Sequence, residues 1–167
     1  MCKFFSAIVS KEGDLYYNKF IHSHEDIIEL FNLREGIKAD NFIRIEYYPE
    51  DNDLSNLSNY QLHVDENTIP DWFNYELKQR TIDRLNFVLE KMIISNQTLK
   101  ILAGDCYILK DSTINKISNC IIFQMSNSKV NEMRENSNVN VMRENSKVNV
   151  MRENSKVITN NSSNIKK

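Results

Sequence analysis

The sequence predicts an α+β head, a short antiparallel sheet with two helices, continuing into a short parallel β-solenoid of nine-residue repeats. Three observations carry this reading. The words NSKVNEMRE, NSNVNVMRE and NSKVNVMRE begin at Asn127, Asn136 and Asn145, and a degraded copy begins at Asn154. Aliphatic anchors recur at Ile114, Ile122, Val130, Val139, Val148 and Val157. Ahead of them, apolar residues recur with periods that give the order β-β-α-β-β-α. The expected division is a head over residues 1–98, a solenoid over 99–157 and a frayed tail over 158–167.

Residues 4–9 read as a strand, with Phe5, Ala7 and Val9 on one face. Residues 11–14 form a turn in which Gly13 supplies a positive φ, and residues 15–18 return as the second arm of a hairpin. Ser23 is placed to cap a helix, with an acid at Asp26 three residues on, and Ile27, Ile28, Leu30 and Phe31 cover one side of it. Gly36 is expected to end that helix. Residues 42–48 alternate strictly, Pro49 stops them, and 51–59 is a polar loop. Residues 60–64 alternate again and should pair with their predecessor. A second helix is expected to start over residues 69–73, with Pro70 in its first turn. Leu77, Thr81, Leu85, Val88, Leu89 and Met92 mark its apolar face, up to about Lys91. Residues 99–102 and 107–109 are short strands that feed the first coils.

The repeat cannot be an ordinary amphipathic helix. Nine residues turn a helix through about two and a half turns, so Val130 and Val139 would fall on opposite faces. Nine is not a coiled-coil period, and the Asn and Ser of every repeat lower helix propensity. In a parallel solenoid each repeat is one strand plus a corner, and two repeats close one coil. Successive coils then hydrogen-bond at about 4.8 Å, and like residues stack on like. Val139 and Met142 point inward, Asn136 and Ser137 turn the corner, and Arg143 and Glu144 face water. The competing reading is a disordered, Asn-rich tail, since no aromatic residue follows Phe123. The repeats lack the Gly and Asp that a calcium roll places at its corners.

The chain has 167 residues and a net charge of −2. Residues 126–167 carry eight Lys and Arg against four Glu, a net +4, which leaves −6 for residues 1–125. Neither value is a strong footprint for nucleic acid. Cys2, Cys106 and Cys120 are odd in number and unpaired in spacing, which speaks against a disulfide framework and a zinc site. No signal peptide or membrane span is read, so a cytoplasmic, reduced setting is expected.

Each candidate site has a plain structural alternative. Cys2 would become an N-terminal nucleophile if Met1 were trimmed, with its own α-amino group as base; as a small buried hydrophobe it needs no such role. His22 and His24 with Asp26 could approach a metal, but no third kind of ligand is obvious, and His63 sits alone on a strand. Trp72 and Phe73 could anchor a partner or plug the core beneath the second helix. Arg134, Arg143 and Arg152 recur at the repeat period and could count phosphates, yet Glu135, Glu144 and Glu153 beside them favour a self-neutralising surface. No P-loop, GxSxG or HExxH word is present, and no cofactor is implied.

The words MCKFFSAIV (1–9), SHEDI (23–27), FIRIE (42–46), HVDE (63–66) and PDWF (70–73) resemble segments of a family of mostly uncharacterised phage and prophage proteins. In that family a head of this kind is followed by repeats similar to N-S-x-V-x-x-M. The repeats here carry Arg-Glu where family members often have Trp-Gly or Leu-Gly. The resemblance implies a mobile-element context. Small non-enzymatic proteins of such elements bind host proteins or ribonucleoprotein complexes, inhibitors of CRISPR effectors among them. The expectation is therefore a non-enzymatic accessory protein in the host cytoplasm, with Trp72, Phe73, Arg134, Arg143 and Arg152 as binding residues. An N-terminal-nucleophile hydrolase using Cys2 and a purely structural solenoid are the alternatives. Direct nucleic-acid contact and oligomeric state stay open.

Overall fold

The structure, a computed structural model, describes residues 4–33 and 41–161, and it falls into two units, 1–89 and 90–167. In the first unit β1 (Ser6–Ser10), β2 (Leu15–Tyr16), β3 (Phe42–Pro49) and β4 (Tyr60–Val64) form one sheet in the order β2-β1-β3-β4. All its pairings are antiparallel. β1 is central and buried at every position, so its expected one-sided face is a two-sided core. β3 alternates strictly between buried and half-buried side chains, which is the pattern its sequence requires.

The β1–β2 turn closes with the Ser10 amide donating to the Asp14 carbonyl at 2.9 Å. Gly13 holds φ at 88°, and a Cβ there would run into the Arg80 guanidinium. Helix α1 (His24–Leu30) starts as its sequence signals: the Asp26 amide donates to Ser23 Oγ at 3.3 Å. It stops at Phe31, where the Leu33 amide reaches back to the Ile28 carbonyl and Asn32 takes φ 54°. Gly36, the expected terminator, lies outside the described residues.

Helix α2 (Tyr75–Met92) begins later than expected. Residues 70–73 form a separate turn, closed by the Phe73 amide on the Pro70 carbonyl, so Pro70 is not in the helix. Asn74 supplies the cap instead, accepting from the Leu77 amide at 3.0 Å. The cap residue wins because its side chain satisfies an orphan N–H that Pro70 could only omit. Leu77, Thr81, Leu85, Leu89 and Met92 are buried as the period demands. Tyr47 Oη donates to Asn86 Oδ1 at 2.8 Å, a bond from sheet to helix within this unit.

The second unit is a parallel β-solenoid. Strands β5 (Ile93–Ser95), β7 (Cys106–Lys110), β9 (Ile121–Ser126), β11 (Asn138–Arg143) and β13 (Lys156–Asn161) make one sheet. Strands β6 (Thr98–Ala103), β8 (Thr113–Ser118), β10 (Lys129–Arg134) and β12 (Lys147–Met151) make the other. Consecutive strands alternate between the sheets, so two strands close one coil. The first solenoid strand is β5, ahead of residue 99 where the sequence reading begins the solenoid. Residues 158–161, expected to fray, belong to β13; residues 162–167 lie outside the described residues.

Register shows the coil growing along the chain. Thr98 pairs with Thr113, fifteen residues on; Thr113 with Lys129, sixteen; Lys129 with Lys147, eighteen. The anchors stack inside: Ile114, Ile122, Val130 and Val139 are fully buried, and Val148 and Val157 partly so. Met142 is 4% exposed, also inward as expected. Full burial of such a side chain contributes about 1.5–3 kcal/mol, so each complete coil adds a substantial increment.

Candidate functional site

The solenoid is built by its corners. Positive φ occurs at Asn96, Gly104, Asp111, Asn119, Asn127, Glu135, Glu144 and Glu153, once per corner. In the early coils these are Asn, Asp or Gly, which tolerate the left-handed region. In the three later corners the residue is Glu, and the Asn that follows it does not take the left-handed angle. The expected Asn136–Ser137 corner is thus shifted one residue back. Glu135 compensates through its carboxylate, which accepts from Ser118 Oγ at 2.6 Å and from Asn119. Its own amide donates to Glu153 Oε2 at 2.6 Å.

The serines of four corners are structural. Ser112, Ser128, Ser137 and Ser146 are all buried. The Ser112 amide donates to Ser128 Oγ at 3.1 Å, and the Ser128 amide to Ser146 Oγ at 3.3 Å. Ser128 Oγ in turn donates to the Ser126 carbonyl at 2.8 Å. Cys120 occupies the equivalent place on the other edge: its amide donates to Ser137 Oγ and its thiol to the Ser118 carbonyl, each at 3.3 Å. Burial pushes that thiol up, which suits a packed side chain and not a nucleophile. Outside, Asn115, Asn131 and Asn149 stack amide on carbonyl at 3.2 and 2.9 Å.

The outward columns are where the coils differ. Ile101, Lys116, Glu132 and Val150 share one column, next to an inward column of Leu102, Ile117, Met133 and Met151. Glu132 is the one acid among its stack mates. It lies 2.8 Å from Arg134 Nε and 2.5 Å from Arg152 Nε, and Arg134 first, then Arg152, holds it below the usual carboxylate range. Two of the three repeated arginines therefore meet on one sheet around a shared carboxylate. Arg143 lies on β11 in the other sheet. A single row of three arginines for phosphates does not form, because alternate repeats go to alternate sheets. The sequence signal for the clamp was the single acid where the later copies have Val141 and Val150. A shallow cavity of about 350 Å³ lies along a corner edge, lined among others by Asp111, Asn127, Lys129 and Lys147; sequence reasoning did not find it.

In the first unit Phe73 is buried and Trp72 half-buried, with the two rings edge to face at 6.2 Å. Phe73 is thus a core plug and no exposed anchor. His24 is buried; its Nε2 donates to the Ile45 carbonyl at 3.0 Å and its Nδ1 lies 3.3 Å from Asp65. His22 packs among aromatic rings, and His63 stacks on Tyr48 at 4.4 Å. The structure does not bring these histidines into one ligand set, and among the described residues no group of three His, Cys, Asp or Glu side chains is placed to hold a metal. Cys2 lies outside the described residues. Among the described residues no helix is long and apolar enough to cross a membrane. No family model, curated protein or solved structure matches this chain.

Proposed function

We propose that this protein is a non-enzymatic phage or prophage accessory protein that binds a host protein or ribonucleoprotein complex in the host cytoplasm. A defence system such as a CRISPR effector is the target class that the sequence resemblance suggests. The observation that carries the binding role is the contrast between neighbouring columns of the solenoid. Leu102, Ile117, Met133 and Met151 stay apolar through every coil, while Ile101, Lys116, Glu132 and Val150 change character at each step. The ladders and the inward stack hold the backbone, which frees the outward column to match a partner.

Affinity capture from host lysate with the full chain tests this. The wild type should recover one stoichiometric partner, and Lys116→Glu with Glu132→Lys should lose it while keeping the β-rich circular dichroism. Recovery of no stoichiometric partner, or equal recovery by the charge-swapped chain, would overturn the reading.

A further inference from the structure

β10 and β12 carry a pair of like charges at each end. The two strands are parallel and in register, with Lys129 against Lys147 at their starts and Met133 against Met151 near their ends. Arg134 and Arg152 each follow by one residue. Like charges set opposite each other on neighbouring strands, about 4.8 Å apart, repel. At the arginine end the chain supplies the counter-charge. Glu132 lies 2.8 Å from Arg134 Nε and 2.5 Å from Arg152 Nε, and the charges of Glu153 and Glu135 act on Arg134 as well. At the lysine end it does not. Among the described residues neither lysine has a carboxylate partner. The one acid beside them, Asp111, turns its Oδ1 to Asn127, whose Nδ2 donates to it at 2.6 Å.

The lysines also border a formed hollow. The cavity of about 350 Å³ at this edge takes Thr113, Lys129 and Lys147 from β8, β10 and β12, and these three residues are register partners. Asn145 adds a side-chain amide. Ser112 and Ser128 make its floor, both buried and tied together by the bond from the Ser112 amide to Ser128 Oγ at 3.1 Å. The donors therefore stand on a fixed backbone. No aliphatic or aromatic side chain lines the cavity, which excludes an apolar ligand.

We infer that this edge binds a phosphate dianion between Lys129 and Lys147, either free phosphate or the phosphomonoester of a small molecule. Charge selects the ligand. Two lysines face no acid of the chain, and a phosphomonoester carries about −1.5 to −2 near neutral pH. A diester or a carboxylate carries one charge and leaves half of the repulsion in place. Shape agrees, because a tetrahedral group presents oxygens to both ammonium groups and to the Thr113 hydroxyl together. Lysine suits this task as a compact charge that needs no fixed fork geometry. The inference does not depend on the host partner proposed above.

The test is a titration of the full chain, labelled with nitrogen-15, with sodium phosphate at constant ionic strength and pH 7.5. Amide shifts at Thr113, Lys129 and Lys147 should saturate together. Lys129→Gln or Lys147→Gln should each weaken binding about tenfold, the worth of one charge-assisted hydrogen bond. Both side chains are exposed, so each variant should keep the β-rich circular dichroism. Arg134→Gln, which removes a cation that already has its carboxylate, should leave the affinity unchanged. Methyl phosphate and inorganic phosphate separate the two sources: whichever binds tighter names the ligand, and either result supports the site. Dimethyl phosphate, with one charge, should bind about tenfold more weakly. Shifts that never saturate overturn the inference. So does equal binding of dimethyl phosphate, or wild-type affinity in the Lys129→Gln, Lys147→Gln double variant.

Discussion

At the scale of single residues, His22 couples the first unit to pH. Its ring lies 5.7 Å from that of Phe4 and 6.5 Å from that of Phe5, and burial lowers its pKa below the ordinary imidazole value. The unfolded chain then takes up this proton at higher pH than the folded one. Its contribution to stability is full above about 6.5 and is lost progressively as the pH falls below it. Urea unfolding between pH 8 and mildly acidic pH should show that loss, and His22→Gln should reduce it; an unchanged pH slope in the variant would contradict the assignment. Ser128 carries a different kind of weight, since its hydroxyl serves the Ser112 amide and the Ser126 carbonyl together. Ser128→Ala strands a buried N–H and should cost about 1–3 kcal/mol in chemical denaturation. Ser128→Cys should cost less, because Cys120 already fills the equivalent corner with its thiol on a carbonyl.

At the scale of the element, the corner sets the stability of each repeat. Glu144 holds φ at 55°, where an L side chain is strained by about 1–2 kcal/mol and Asn is tolerated. Glu144→Asn should therefore raise stability by up to about 1 kcal/mol, read as a higher midpoint in thermal unfolding. A lower midpoint would mean that the Glu side chain contributes more than its backbone costs. Sequence pattern located the strands well, because period and anchor spacing are properties of the chain alone. It misplaced the corner by one residue and the α2 start by several. In both places the deciding contact is a side chain reaching a backbone group: Asn74 on the Leu77 amide, and Glu153 of the next coil on the Glu135 amide. The strand β5 was missed because Ile93 and Ile94 follow directly on a helical period, and three residues are too few to show a period of their own.

At the scale of the whole molecule, each of the two units holds a core of its own. Val139 lies in the solenoid's interior, fully buried among Val130, Met133 and Met142, with nothing there to pair a charge. Val139→Asp should destabilise that unit by roughly 3 kcal/mol or more. Circular dichroism should show the loss, while the fluorescence of Trp72, the sole Trp and a residue of the first unit, should change little. Equal loss of both signals at one midpoint would show a single cooperative core. The sequence by itself determined the α+β head, the solenoid, the inward anchors and the two-repeat coil, because each follows from a periodicity that stacking must respect. Only the tertiary structure decided that Arg134 and Arg152 share Glu132 while Arg143 lies on the other sheet, and that Phe73 is core. Those depend on which residues stand one coil apart in space, and a coil that lengthens from fifteen to eighteen residues shifts that pairing at every step.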